Sequence, residues 1–132
     1  MNKRKVIQQV VEYLQQELEE VLGSADENAL TRARELEQLL LMYRFLPVRQ
    51  FEERDVISPA ALVELEFNSM HAFYFIAPRG GGLVTRVEGQ AVQVVTPQSP
   101  IGEAILGKHA GDLAEVRMRD DSVRKYRVIS VS

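Results

Sequence analysis

The feature that most constrains this sequence is a change in the spacing of its apolar residues along the chain. In the first third, apolar side chains recur at intervals of three and four, which is the heptad pattern of packed helices. From about residue 60 the period falls toward two, which is typical of strands. Helices followed by strands indicate an α+β fold. The two helical series are Ile7, Val11, Leu14, Leu18, Val21 and then Ala29, Ala33, Leu36, Leu40, Tyr43.

A short polar segment separates the two helical series. Gly23 is typical of a helix C-cap, because glycine readily adopts a left-handed backbone. Ser24 and Glu27 have the spacing of a capping box for the second helix, and Pro47 would end that helix. Two seamed helices joined by a short loop predict an antiparallel helical hairpin, a coiled coil, over residues 1–47.

The rest of the chain predicts a linker at residues 48–57, which are polar and bounded by prolines, and a domain at 58–132. Ser99 as N-cap, Pro100 at the first helical position and Gly107 at the end predict one short helix in that domain. Its predicted strands are 61–67, 72–77, 83–87, 91–96, 113–119 and 123–131.

Several residue patterns that could carry chemistry have simpler explanations. The glycines at 80–82 precede a strand, whereas a phosphate cradle precedes a helix, so we expect a hairpin turn or flexible loop. His71 and His109 lack neighbouring histidines or cysteines, which argues against a metal site. The chain has no cysteine and no serine in a nucleophile-elbow pattern. We therefore expect no catalytic residue of its own and no intrinsic cofactor.

The net charge and the hydropathy of the sequence argue against some classes of binding partner. The net charge of −3 argues against a general nucleic-acid binder, and we expect no sequence-specific DNA binding. No apolar run approaches the roughly 20 residues of a membrane helix, and we expect a cytoplasmic protein without membrane contact. The five basic residues of the last hairpin could form a face for a nucleic acid or an acidic partner, but interleaved acids favour a solvated face. Those residues are Arg117, Arg119, Arg124, Lys125 and Arg127.

Asp26 and Glu27 are the candidate functional residues of the hairpin tip. Carboxylates at a projecting tip could help to hold Mg²⁺ in the active site of another protein. The alternative is a purely structural role, because acidic residues stabilise the start of a helix. The sequence leaves both interpretations open.

Residues 94–108 (VVTPQSPIGEAILGK), followed by Gly111 and Asp112, resemble the C-terminal domain of the Gre transcript-cleavage factors. Residues 58–65 and 123–131 resemble the first and last strands of that domain, so the resemblance covers about residues 58–132. It implies an FKBP-like antiparallel sheet with one short helix. It also implies a transcription elongation regulator that docks on the rim of the secondary channel of bacterial RNA polymerase.

The resemblance assigns roles to residues in both parts of the chain. Ser99 and Pro100, and with them Ile101, would contact the polymerase, although Gln98 stands where the family often has an acid. The tip resembles the family pattern Gly-Asp-x-x-Glu-Asn-Ala, with Ser24 in place of the first acid and Asp26 at a shifted position. The tip acids would approach the catalytic Mg²⁺ of the polymerase. The matching tip residues are Gly23, Glu27, Asn28 and Ala29.

The length of the predicted arm distinguishes two branches of this superfamily. A first helix of about 20 residues spans roughly 30 Å, which is shorter than in the Gre cleavage factors. A short arm resembles the regulators of nucleoside diphosphate kinase, which dock on polymerase without cleaving transcripts. This favours a non-cleaving elongation regulator. The first alternative is a true cleavage factor that uses Asp26 and Glu27.

Two further alternatives belong to other functional classes. One is an FKBP-like peptide-binding module or prolyl isomerase, with Phe73, Tyr74 and Phe75 at its pocket. The other is a helical hairpin that associates with a second copy of itself.

Overall fold

Two units, Met1–Pro47 and Val48–Ser132, make up the chain, and the computed structural model describes all 132 residues. The first unit consists of helices α1 (Lys3–Leu22) and α2 (Ala29–Phe45). Asn2 caps α1 by accepting a hydrogen bond from the Lys5 amide at 3.2 Å. The two helices pack against each other in the predicted hairpin.

The buried stripe of the hairpin follows the predicted periodicity with one shift. In α2 the predicted positions Ala33, Leu36 and Tyr43 are buried. In α1 the buried residues at the first two turns are Val6 and Val10, while their predicted neighbours are only half-buried. The sequence offers two adjacent apolar residues at each of these turns, so packing decides which one is buried.

The loop between the helices differs from the prediction. Gly23 has φ −85°, in the right-handed region, so it does not provide a left-handed cap. The Ser24–Glu27 capping box is absent, because the hydroxyl of Ser24 accepts a hydrogen bond from the Asp26 amide at 3.1 Å. The N-cap of α2 is Asn28, whose side chain makes no capping hydrogen bond. A tight turn within two residues of Ser24 has displaced the longer-range box.

Burial of Tyr43 predicts a loss of stability at alkaline pH. Burial raises the pKa of Tyr43 to about 12 from an ordinary value of 10. A raised folded-state pKa contributes stability fully below pH 10 and loses it between about pH 10 and 12. At pH 11 we expect the wild type to lose about 1 kcal/mol of unfolding free energy relative to Tyr43→Phe, measured by urea denaturation at pH 8 and 11. An identical pH dependence in both proteins would contradict this.

The second unit is a six-stranded sheet with one short helix, α3 (Pro100–Ile105). In space the strands run β3-β4-β2-β1-β6-β5, and β2 pairs with β4 in parallel while all other pairs are antiparallel. The strands are β1 (Leu62–Phe67), β2 (Met70–Ile76), β3 (Val84–Val87), β4 (Gln90–Val95), β5 (Leu113–Arg117) and β6 (Val123–Val131).

The α+β class and the single short helix are confirmed, and the sheet is antiparallel, as expected, except for the one parallel pair of β2 with β4. The sheet is mixed because β3 does not pair with β2, although the two are consecutive in the chain. The chain crosses over between them through the glycines at 80–82, which form a connecting loop rather than a hairpin turn. After β3 the chain reverses direction and forms β4, which lies between β3 and β2.

Side chains of the sheet alternate between two buried sets, as the pleat requires. One set forms a cluster that includes Val63, Tyr74, Val116 and Tyr126 from the strands and Ile105 from α3. On the opposite face, other strand residues are also buried. They are Leu62, Phe75, Val87, Val92 and Val94.

The predicted linker at residues 48–57 belongs to the second unit. Phe51 and Ile57 are part of its core cluster. The amide of Ile57 donates to the Lys108 carbonyl at 2.8 Å, and the Gly107 amide donates to the Ile57 carbonyl at 2.9 Å. The segment predicted to be a linker is therefore packed on the second unit, because the burial of Phe51 and Ile57 anchors it to the core.

None of the three helices combines the length and the hydropathy that a membrane span requires.

Candidate functional site

The turn that begins α3 is held by a compact set of hydrogen bonds. The Ser99 hydroxyl donates to the Thr96 carbonyl at 2.8 Å and accepts from the Gly102 amide at 3.1 Å. Pro100 occupies the first turn of the helix. This confirms the predicted N-cap and places the hydroxyl of Ser99 in a structural role, so Ser99 positions its neighbours.

Gly102 packs its backbone against the turn that precedes the helix. A Cβ atom at this position would lie 1.8 Å from the Thr96 carbonyl oxygen and 2.8 Å from the Ser99 hydroxyl oxygen. No side chain fits there, so the close approach requires glycine. The approach fixes α3, and with it Pro100 and Ile101, relative to the end of β4.

A surface groove of about 510 Å³, here called the α3 groove, opens beside this turn. Ser99, Pro100 and Ile101, the residues predicted to bind a partner, all lie in its wall. The structure therefore brings these three residues together at one concave surface. Its apolar lining is Val95, Pro100, Ile101, Val116 and Met118.

Charged residues of the last hairpin also line the α3 groove. The lining contains three basic residues, Arg117, Arg119 and Arg124, and one acidic residue, Asp120. The side chain and backbone of Ser122 donate hydrogen bonds to Asp120, which lowers the pKa of that carboxyl. The guanidinium of Arg124 lies 5.1 Å from the centroid of the Phe67 ring. The sequence analysis identified these arginines but did not predict that three of them line the same groove as apolar side chains.

The tip of the helical hairpin carries the predicted acids Asp26 and Glu27, both exposed. One carboxylate oxygen of Asp26 accepts a hydrogen bond from the Asn28 amide at 2.9 Å. Glu27 forms no hydrogen bond or ion pair within the chain. Asp26 thus has a structural contact at the start of α2, whereas the carboxylate of Glu27 is available to a partner.

An ion pair links the two helices of the hairpin near its tip. Arg32 of α2 donates two hydrogen bonds, of 2.7 and 3.0 Å, to one carboxylate oxygen of Glu17 in α1. It donates a third to Glu35 at 3.1 Å. The hydrogen bond with Glu17 raises the pKa of Arg32. These contacts join the two helices just below the acids.

The histidines lie at exposed sites with carboxylate neighbours. His71 lies between Glu64 at 2.5 Å and Glu66 at 3.1 Å on the surface of the sheet. His109 lies 3.5 Å from Asp112 at the end of a turn. No group of three or more metal-ligating side chains in the chain has the arrangement of a metal site. A metal held by the tip acids would need ligands from another molecule.

The aromatic residues 73–75 do not form a pocket. Tyr74 belongs to the core cluster that includes α3, whereas Phe75 is buried on the opposite face. Phe73 is half-buried on the same face as Phe75. The strand therefore divides the three rings between two sides of the sheet, and none of them lines the α3 groove.

A protein-family model matches the larger part of the second unit. Residues 75–132 match the model described as "Transcription elongation factor, GreA/GreB, C-term". This part of the chain is similar to the C-terminal domain of the Gre-type elongation factors. The predicted resemblance to the Gre-type superfamily is thus confirmed, and the match includes α3 and the residues of the groove. The match begins inside β2, so β1 lies outside the matched residues.

Several solved structures are similar to this chain over most of its length. A structure of the transcription factor Gfh1 is 19% identical, with a TM-score of 0.50, and the match covers 98% of this chain and 85% of that one. The GreA factor homolog 1 of Thermus thermophilus is 18% identical (97% and 93% covered, TM-score 0.46). The elongation factor GreA/GreB from Nitrosomonas europaea is 19% identical (92% and 93% covered, TM-score 0.44). No curated protein sequence matches significantly.

Proposed function

We propose that this protein is a transcription elongation regulator that binds bacterial RNA polymerase at the rim of its secondary channel through the Gre-type domain. The observation that carries the proposal is the match of residues 75–132 to the elongation-factor family. The α3 groove supports it, because a concave surface with an apolar lining is suited to a protein partner. Ser99, Pro100 and Ile101 are the proposed contact residues.

A competition experiment tests this docking. Purified protein is titrated onto bacterial core RNA polymerase, and then a Gre cleavage factor is added in increasing amounts. We expect saturable binding and displacement by the competitor, because both proteins would occupy the channel rim. Absence of binding, or binding that the competitor leaves unchanged, would overturn the proposed docking site.

We propose further that the protein is not an enzyme and that the hairpin occupies the channel without stimulating transcript cleavage. α1 has 20 residues, and at 1.5 Å per residue it spans roughly 30 Å. Ser24 replaces one tip acid, and Asp26 is already hydrogen-bonded to the backbone of the tip. If the tip did act, Asp26 and Glu27 would be its ligands for the Mg²⁺ of the polymerase, with no cofactor of the protein itself.

Backtracked elongation complexes separate the two modes of action. We expect the wild type to leave the rate of RNA cleavage unchanged, and the double variant Asp26→Ala/Glu27→Ala to behave in the same way. A cleavage factor would instead accelerate the reaction, and the double variant would abolish that acceleration because the Mg²⁺ ligands would be gone. Arg34→Ala is the control, because Arg34 is exposed on α2 and forms no ion pair. Acceleration that depends on both acids would overturn the non-cleaving proposal.

A prolyl isomerase or peptide-binding function finds little support in the geometry. The rings at 73–75 are divided between two faces, and the α3 groove has no aromatic lining. Fold similarity alone does not carry an activity. We expect no acceleration in a standard prolyl-isomerisation assay.

A further inference from the structure

The charge of the α3 groove is opposite in sign to that of the whole chain. The protein has a net charge of −3, yet three arginines and one acid line the groove. The acid, Asp120, already accepts two hydrogen bonds from Ser122. Arg117 and Arg119 form no ion pair within the chain. A local excess of positive charge therefore lies beside an apolar surface.

We infer that the α3 groove selects a protein segment in which an apolar anchor is flanked by carboxylates. This rests on the proposed function and names the chemistry of the docking segment. Ile101 and Met118 provide apolar surface for the anchor. The guanidinium groups would bind carboxylates in paired hydrogen bonds, which fix the orientation of the segment as well as attracting it.

A carboxylate-bearing protein fits the groove better than a nucleic acid. Single-stranded nucleic acids are usually bound by aromatic side chains that stack on the bases, together with a basic path for the phosphates. The lining of the α3 groove contains no aromatic residue. Its apolar surface would remain uncovered beneath a phosphate backbone, whereas an apolar side chain of a protein would bury it.

Strand β6 provides a matched pair of cations for the test. Arg124 and Lys125 are consecutive, so their side chains point to opposite faces of the sheet. Arg124 lines the groove beside Phe67. Lys125 is absent from the lining, and its ammonium lies 3.9 Å from Glu115. Reversing either charge changes the net charge of the protein equally but alters the groove in only one case.

The experiment measures binding of the full chain to bacterial core RNA polymerase at low salt by biolayer interferometry. We expect Arg124→Glu and Arg119→Glu each to raise the dissociation constant at least about tenfold, since each replaces an attraction with a repulsion. Lys125→Glu should stay within about twofold of the wild type. Arg119 lies in the exposed turn after β5, so its variant keeps the test valid if Arg124→Glu disturbs the contact with Phe67.

Three results would overturn the inference, and they are distinguishable. If the wild type binds, Ile101→Asp abolishes binding and both arginine variants bind normally, the proposed docking survives and the selection of carboxylates fails. If the wild type does not bind polymerase, both proposals fail together. If a single-stranded oligonucleotide binds the wild type and loses affinity in the same arginine variants, the groove recognises phosphate instead.

Discussion

Gly102→Ala is expected to unfold the start of α3 and to cost the second unit about 3 kcal/mol or more of unfolding free energy. The added Cβ would lie 1.8 Å from the carbonyl oxygen of Thr96, which is backbone and cannot move aside alone. Relief requires α3 to separate from the turn, and this breaks the contacts of Ser99 with Thr96 and with the Gly102 amide. Steric overpacking and the loss of these partly buried hydrogen bonds both destabilise the unit.

Urea denaturation followed by circular dichroism measures this loss, and NMR spectra assign it to the second unit. Gly23→Ala is the matched control, because its Cβ would lie 3.7 Å from the nearest carbonyl oxygens, in ordinary contact, and its φ of −85° suits any residue. We expect this control to stay within about 0.5 kcal/mol of the wild type. Equal stability of the two variants would show that the turn can relax around a methyl group.

The local elements were predictable because their determinants are close together in the sequence. Ser99 and Pro100 begin α3 through contacts within three residues, and the sequence predicts that helix start correctly. The same reasoning failed at the hairpin tip, where it predicted a capping box between Ser24 and Glu27. The hydroxyl of Ser24 could accept a hydrogen bond either from the Asp26 amide or from the Glu27 amide. The nearer amide prevailed. Local patterns propose a small set of turns, and the geometry of the whole loop selects among them.

Local periodicity could not predict the order of the strands in the sheet. It also could not predict that residues 48–57 contribute to the core. The parallel pairing of β2 with β4 depends on where the chain goes after the glycine-containing loop at 80–82. Phe51 is an isolated apolar residue in a polar segment, and only the completed sheet provides the surface on which it is buried. Long-range packing decides such features, so a pattern of period two predicts strands without predicting their neighbours.

The α3 groove combines residues that the sequence could and could not assign. The motif around Ser99 identified one wall, whereas Arg117, Arg119 and Arg124 looked like a solvated face diluted by nearby acids. Of the acids near these arginines only Asp120 lines the groove, and the hairpin turn folds the arginines beside Met118. Charge counted along the chain therefore underestimates the charge of the folded surface.

Ile101→Asp is expected to weaken binding to RNA polymerase at least about 100-fold, which corresponds to about 2.7 kcal/mol. Ile101 is half-buried, packs against the core cluster and lines the α3 groove. A carboxylate at this position replaces the apolar surface on which the partner would dock. Docking would then require a charge to be desolvated beneath the partner, which costs far more than the loss of a methyl group. The dissociation constant for core polymerase measures the effect.

Two further variants separate binding from folding. Ile101→Ala shortens the side chain without adding charge, and we expect it to weaken binding about tenfold while the domain stays folded. Glu103→Gln alters an exposed neighbour on α3 that lies outside the groove lining, so it should bind as the wild type does. If a folded Ile101→Asp protein binds polymerase with unchanged affinity, the docking surface lies elsewhere on the second unit or on the hairpin. Loss of binding in Ile101→Asp, partial loss in Ile101→Ala and none in Glu103→Gln would identify the apolar wall of the groove as the contact surface.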